Sequence, residues 1–229
     1  MREIVAVPRR KFIAGSLAGA GLLLLPACQS TGQISFTEAI RRLLLFSSQR
    51  AFVRLTAPGG YWDEQVARIG LNGFLGSRGG TVASILTSPL FKRRLENAFA
   101  DIAEEGAARA APLVADAVRT VGIANSVAIL RGGPTAATTF LRGEMGPGLV
   151  EAMVPEVGQA LRIANEPLVG QLLSALTGVD VSTVARDFSG RVDDAIWNEI
   201  GVEEAAIRAN PRETNDPLLI GTFGLGSAL

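Results

Sequence analysis

Apolar residues recur along this chain at intervals of three and four, and the breaks in that rhythm mark its elements. Ser35-Phe36-Thr37-Glu38 has the form of a capping box, with Ser35 as N-cap and Glu38 at the third helical position. It predicts a helix to about Leu55, ended by Pro58-Gly59-Gly60. Trp62 to Leu71 reads as a short helix, and Gly73 to Gly80 as a glycine-rich loop. Ser88-Pro89 is a helix start, serine capping and proline at the first position. Phe91, Leu95, Ala98, Phe99 and Ile102 then share one face, continued by Leu113, Val114, Ala117, Val118 and Val121. Gly106 and Pro112 predict a kink or restart between the two sets.

Gly122 closes that stretch, and Ile123–Leu130 reads as another short helix. Gly132-Gly133 breaks the pattern, which restarts at Pro134 and runs to Met145. Leu149, Val150, Met153, Val154, Val157 and Leu161 mark the next helix, Glu166-Pro167 interrupts, and Leu168–Leu176 resumes. After a turn at Gly178 and Asp180, Val184, Phe188, Val192, Ile196 and Ile200 define a last long helix to about Ala209. Asn210-Pro211 stops it, and Leu218, Leu219, Ile220 and Phe223 make the tail apolar enough to dock. No period-two strand pattern, fixed-period repeat or heptad array occurs. The expected fold is all-α, a compact multi-helix bundle or orthogonal helical array, with residues 36–229 as one helical domain.

Ahead of the helices, residues 1–27 read as a lipoprotein signal peptide and 28–35 as a lipidated tether. Arg9-Arg10-Lys11-Phe12 resembles a twin-arginine export motif, with Arg9, Arg10 and Phe12 its recognisable members. The apolar run Ile13–Leu25 is short and softened by Gly15, Gly19 and Gly21, below the ~20 residues a spanning helix needs. Leu25-Pro26-Ala27-Cys28 looks like a lipobox. Cleavage before Cys28 and acylation there would give a stable anchor, because several acyl chains hold where one does not. Gln29 follows rather than an inner-membrane retention aspartate, so the outer membrane, facing the periplasm, is the expected location.

Composition narrows the chemistry. The chain has no histidine, and Cys28 is its single cysteine. Ser-His-Asp and Cys-His catalysis, imidazole–thiolate metal sites and an internal disulfide are therefore excluded. Without the leader's Arg2, Arg9, Arg10, Lys11 and Glu3, 18 basic residues face 21 acidic ones, which speaks against nucleic acid. Only Lys11 and Lys92 are lysines, and the arginine bias reads as composition rather than recognition. No cofactor motif is present.

Four sets of residues remain as candidates. The glycine pair before a helix start exposes N–H groups and a positive dipole end, so Arg131, Gly132, Gly133, Thr135 and Thr138 form a possible anion or ligand site. The structural reading is a tight turn, with glycine at positive φ and Pro134 at the first helical position, and it is favoured. Glu104-Glu105, Asp193-Asp194, Asp101 and Glu203-Glu204 could serve a carboxylate hydrolase, but adjacent helix positions diverge and solvated faces are expected. Ser88 and Lys92 are one residue too far apart for a helical Ser-x-x-Lys dyad. Tyr61-Trp62 and Trp197 could line a groove, although aromatics on helix faces are more often core.

The segment Ile129–Arg142, with its Gly-Gly-x-Thr-Ala-Ala-Thr core, resembles the signature of bacterial domain of unknown function family 4197. Ala110–Val121 resembles that family's Ala-x-Pro-x-x-x-Asp-Ala segment. Val192–Pro211, with Glu203-Glu204 and Ile207-Arg208-Ala209-Asn210-Pro211, resembles its last helix and stop. The tail through Phe223-Gly224 resembles its end. The chain departs at Pro134, where the family usually carries an acidic residue, and in its scarcity of lysine. The resemblance covers most of the chain from about Ser88. It implies a helical exported protein and supplies no activity. The resulting expectation is a non-catalytic envelope lipoprotein that binds a partner protein or envelope component. The alternatives are a carrier of a lipid or hydrophobic ligand, and a carboxylate-dependent cell-wall hydrolase.

Overall fold

The computed structural model describes residues 30–58, 60–67, 89–163 and 181–224. The described residues are helical without strands. Four long helices, α1 (Ser30–Leu55), α2 (Pro89–Thr120), α5 (Gly148–Ile163) and α6 (Val181–Ala209), form a ring. In it α6 packs on α1 and α5, and α2 packs on the same two from the other side. Two short helices, α3 (Ser126–Leu130) and α4 (Ala136–Met145), carry the chain from α2 to α5. Helix α3 rests on α1 and α4 on α6, while α7 (Pro217–Phe223) returns to α1.

The core follows the stripes that the periodicity predicts, except that Leu113 of α2 faces solvent. On α1, Ile40, Leu43, Leu44, Ala51 and Leu55 are fully buried, and Ser47 and Ser48 sit among them by donating to the carbonyls of Leu43 and Leu44. Leu95, Phe99, Val114 and Val118 of α2 and Val184, Phe188, Val192 and Ile196 of α6 are buried in one core, where the Phe99 and Phe188 rings lie 5.2 Å apart. Trp62 is buried against the end of α1 and donates to the Leu55 carbonyl at 2.7 Å.

Several boundaries differ from the sequence reading. Helix α1 begins at Ser30, so Ser35 lies inside it and is not its N-cap. Helix α2 runs through Gly106 and Pro112 without interruption. Pro112 is on the solvent side, where water can take the carbonyl it orphans, while Ala107, Ala110 and Val114 hold the buried side. Helix α4 starts at Ala136 behind Thr135, so Pro134 stands in the preceding turn rather than at the first helical position. Helix α3 begins at Ser126 rather than Ile123. The tail docks as expected, with Leu219 and Phe223 buried and the Asp216 carboxylate capping α7 through the N–H groups of Leu218 and Leu219. The expected elements at Gly73–Gly80 and Leu168–Leu176, the Glu166-Pro167 break and the Ser88 cap lie outside the described residues, as do the export motif and Cys28.

Arginines secure helix ends throughout. Arg41 of α1 donates to the carbonyls of Val118, Arg119 and Val121 where α2 terminates. Arg42 bridges Glu38 and the capping Asp216, each at 2.9 Å. Arg54 reaches Glu199 at 2.6 Å and Glu203 at 3.2 Å on α6. A guanidinium spreads five donors over a planar fork, against a lysine's three on one nitrogen, so the arginine bias has a structural use here.

Candidate functional site

The Gly132-Gly133 turn, the first turn of α4 and the last third of α6 meet in one place. Gly132 is needed there for close approach, not for unusual backbone, whereas a Cβ on Gly133 would meet nothing within 4 Å. Neither has positive φ; among the described glycines only Gly146 does, at 53°. A Cβ on Gly132 would stand 2.5 Å from the Ala136 Cβ and 3.2 Å from the Ala128 carbonyl oxygen. The chain can therefore fold α4 back over the end of α3 only because position 132 has no side chain.

That fold-back aims two helix termini at α6, and one pair of α6 residues satisfies both. Glu204 is fully buried, and its carboxylate accepts from the N–H of Ala137 at 3.0 Å, the N–H of Thr138 at 2.7 Å and the Thr138 hydroxyl at 2.6 Å. It thus fills the positive end of α4. One turn on, Arg208 pairs with Glu204 at 2.7 Å and donates to the carbonyls of Leu130 and Ile129 at 3.0 and 3.1 Å, the negative end of α3. Its guanidinium also lies 4.9 Å from the Phe223 ring centroid, which ties in α7. The anion that the sequence chemistry calls for is present, and it belongs to the chain itself. Arg131, Gly132 and Gly133 are exposed and contribute no contact to it.

Beside this clamp runs an open cleft of about 510 Å³ between α4 and α6. Its α4 wall is Thr135, Thr138, Thr139 and Arg142, a stripe at helical spacing. The facing stripe on α6 is Asp194, Trp197, Asn198, Gly201, Val202 and Ala205. Gly201 sets its width, since a Cβ there would come within 3.2 Å of the Thr135 methyl carbon. At one end Arg142 binds Asp193 at 2.9 Å and Asp194 at 2.5 Å through a single nitrogen, and the Trp197 indole donates to Asp193 at 2.9 Å. Burial raises the Asp193 carboxyl above its ordinary value, outweighing the opposing pull of Arg142 and the indole N–H. Arg142 is itself raised: burial works against it, but its two aspartates win.

Of the five residues proposed for ligand binding, Thr135 and Thr138 line this cleft, and Thr138 already serves Glu204. The paired carboxylates are not uniformly solvated faces. Asp101 and Glu105 are exposed, whereas Asp193, Glu199 and Glu204 are buried in arginine clusters. The signal that could have found them is phase. Asp193, Glu204 and Arg208 fall on the stripe that also carries Ile196, Ile200 and Ile207. Trp197 and Trp62 are core residues by burial, and Lys92 pairs with Glu96 at 3.6 Å.

Among the described residues no three histidine, cysteine, aspartate or glutamate side chains are grouped to hold a metal ion, and no helix is long and apolar enough to cross a membrane. No curated protein and no solved structure matches the chain. One family model, described as "Protein of unknown function (DUF4197)", matches residues 30–224, which takes in both halves of the clamp and both walls of the cleft. On that match, the chain belongs to family DUF4197.

Proposed function

We propose that this protein is a non-catalytic lipoprotein of the cell envelope whose helical domain binds a partner protein or an envelope component. The leader supports the location: export by the Arg9-Arg10-x-Phe12 motif, acylation at Cys28 and a periplasm-facing position, the outer membrane before the inner. The observation that carries the binding reading is how the acids are used. The buried carboxylates Asp193, Glu199 and Glu204 each pair with an arginine, and all three clusters tie helices together. Asp193 and Asp194 share one guanidinium on one helix instead of facing each other across a gap, which counts against a glycosidase pair. The cleft beside them offers recognition groups on two rigid helices.

A second reading, a carrier of a hydrophobic ligand, has its own support in a groove of about 760 Å³ between α1 and α2. Phe52, Val53, Ala111 and Pro112 line it, with Val53 73% exposed.

Two measurements test the main reading. Cys28→Ser should move the protein from the membrane to the soluble envelope fraction; full membrane retention would remove the anchor. Photo-crosslinking side chains placed at Asn198 and at Asp116, an exposed site on α2, should give products in intact envelopes from Asn198 only. Equal labelling from both positions, or none from Asn198, would remove the cleft as the binding surface.

A further inference from the structure

The cleft between α4 and α6 also defines what kind of ligand suits it, and this step rests on the binding reading above. Its rim is polar on both sides. Thr135 is the N-cap of α4, yet its hydroxyl makes no capping bond. The Thr139 hydroxyl and the Asn198 amide, both exposed, have no hydrogen-bond partner among the described residues. Arg142 uses one terminal nitrogen for its two aspartates, which leaves the rest of its fork toward the groove. Asp194 is 59% exposed and keeps acceptor capacity. The rim thus offers hydroxyls and an amide that both donate and accept, one forked donor and one acceptor.

The charge balance discriminates further. One guanidinium meets two carboxylates, and the adjoining helix end is neutralised by Glu204. An anionic ligand would enter a neutral-to-negative groove and displace nothing. The apolar side chains of the cleft come from α6. Val202, 48% exposed, is the large apolar residue at the rim, with Ala205 and the buried edge of Trp197 below it. An amphipathic helix needs successive apolar pockets at i, i+3, i+4 and i+7, and the Thr135–Arg142 stripe provides polar groups instead. A lipid chain needs an enclosed apolar space. A cleft of about 510 Å³ whose lining sets donors and acceptors beside apolar surface matches a molecule with hydroxyls at its edge and C–H groups on its face.

We propose that the α4–α6 cleft binds a neutral saccharide, with Thr135, Thr139, Asn198 and Asp194 taking its hydroxyls and Val202 supporting its C–H face.

The test uses the full chain, purified from membranes in a detergent without a sugar headgroup. Calorimetric titrations would use triacetylchitotriose, cellotriose and maltotriose as neutral probes and a heparin tetrasaccharide as the anionic one. At least one neutral trisaccharide should bind with a Kd of about 1 mM or tighter. Asn198→Ala and Thr139→Ala, both exposed changes, should each weaken it roughly tenfold with the helical circular dichroism unchanged, whereas Arg109→Gln on α2 should leave it alone. The proposal fails if all three neutral probes are silent, if heparin binds more tightly than each of them, or if neither cleft variant alters affinity. If the probes are silent while envelope crosslinks from Asn198 persist, the saccharide assignment falls and the binding reading stands. If both are lost, both fall.

Discussion

Two of the carboxylate–arginine clusters on helix α6 lie 11 residues apart, about 16 Å along its axis, and they are put to opposite uses. At Glu204–Arg208 the carboxylate and the guanidinium each meet a helix terminus, and both side chains are almost entirely withdrawn from water, at 0% and 11% exposed. At Asp193–Asp194–Arg142 one carboxylate is buried beneath a tryptophan, the second is open, and the arginine is 44% exposed. Carboxylates of the same helix, each with an arginine, thus make a joint in one place and a rim in the other. What separates them is whether the neighbouring backbone supplies partners. The fold-back at Gly132 delivers two helix ends to Glu204 and Arg208, while α4 presents only side chains to Asp194.

The sharpest way to break this contrast is to leave one member of the joint alone. Arg208→Met strands the Glu204 carboxylate in the core and removes the donors for the Ile129 and Leu130 carbonyls. It should cost about 3–5 kcal/mol, seen as a lower urea midpoint at unchanged m-value. Glu204→Gln added to it should recover part of the loss, because an amide can still accept from Thr138 and no charge remains buried. A double variant no better than Arg208→Met would mean that the charge pair is not what holds the joint. Gly132→Ala comes next. Its Cβ, 2.5 Å from that of Ala136, forces α4 off the end of α3, and about 1–3 kcal/mol is expected. If melting is unchanged, the close approach is not a constraint.

These two expectations also show what could be read from residues alone. The helices were legible because their buried faces are regular: of the described positions marked on α2, α5 and α6 by spacing, all are buried or half-buried except Leu113, which is 39% exposed. The turn at Gly132-Gly133 was legible as a break and as an anion-seeking helix start. Its occupant was not, since Glu204 lies 66 positions from Thr138 and only the packing of α6 on α4 brings it there. The Pro112 restart was misjudged for a related reason. A proline's cost depends on which face it occupies, and the long core stripe of α2 keeps the helix whole around it. The cleft is half visible in the sequence: Thr135, Thr138 and Asp194 stand out there, but in separate sets that only the packing of two helices brings together, and Thr139 and Asn198 carry no signal.

Protonation separates the clusters differently. Burial raises the Asp193 carboxyl, and raises Glu199 too, with Arg54 opposing and Glu203 adding to the shift. A carboxyl raised in the folded state holds its proton more tightly there than in the unfolded chain. Its contribution is therefore fully present below the ordinary carboxylate range near pH 4 and is lost as pH rises through the folded value. Asp216 behaves in the opposite sense. Some burial pushes it up, but the Leu219 and Leu218 N–H groups and Arg42 hold it lower, so its contribution is lost as pH falls. Urea midpoints between about pH 3 and 7 should show Asp193→Asn gaining on the parent as pH rises, and Asp216→Asn gaining as pH falls. Parallel curves for parent and variants would contradict both assignments.

The smallest effect is expected at the rim, and it decides whether the rim is a joint after all. Asp194 pairs with Arg142 at 2.5 Å, but both groups face water, and ion pairs of that kind are worth about 0–1 kcal/mol. Asp194→Asn should therefore shift the midpoint by less than about 1 kcal/mol, with Asp193 still holding the guanidinium. The same substitution replaces a charged acceptor on the cleft with a neutral amide, so its effect should appear in binding rather than in folding. If Asp194→Asn instead destabilised the protein as much as Arg208→Met, the rim would be a second structural clamp. The distinction between the two clusters would then collapse, and the cleft would be a seam between packed helices.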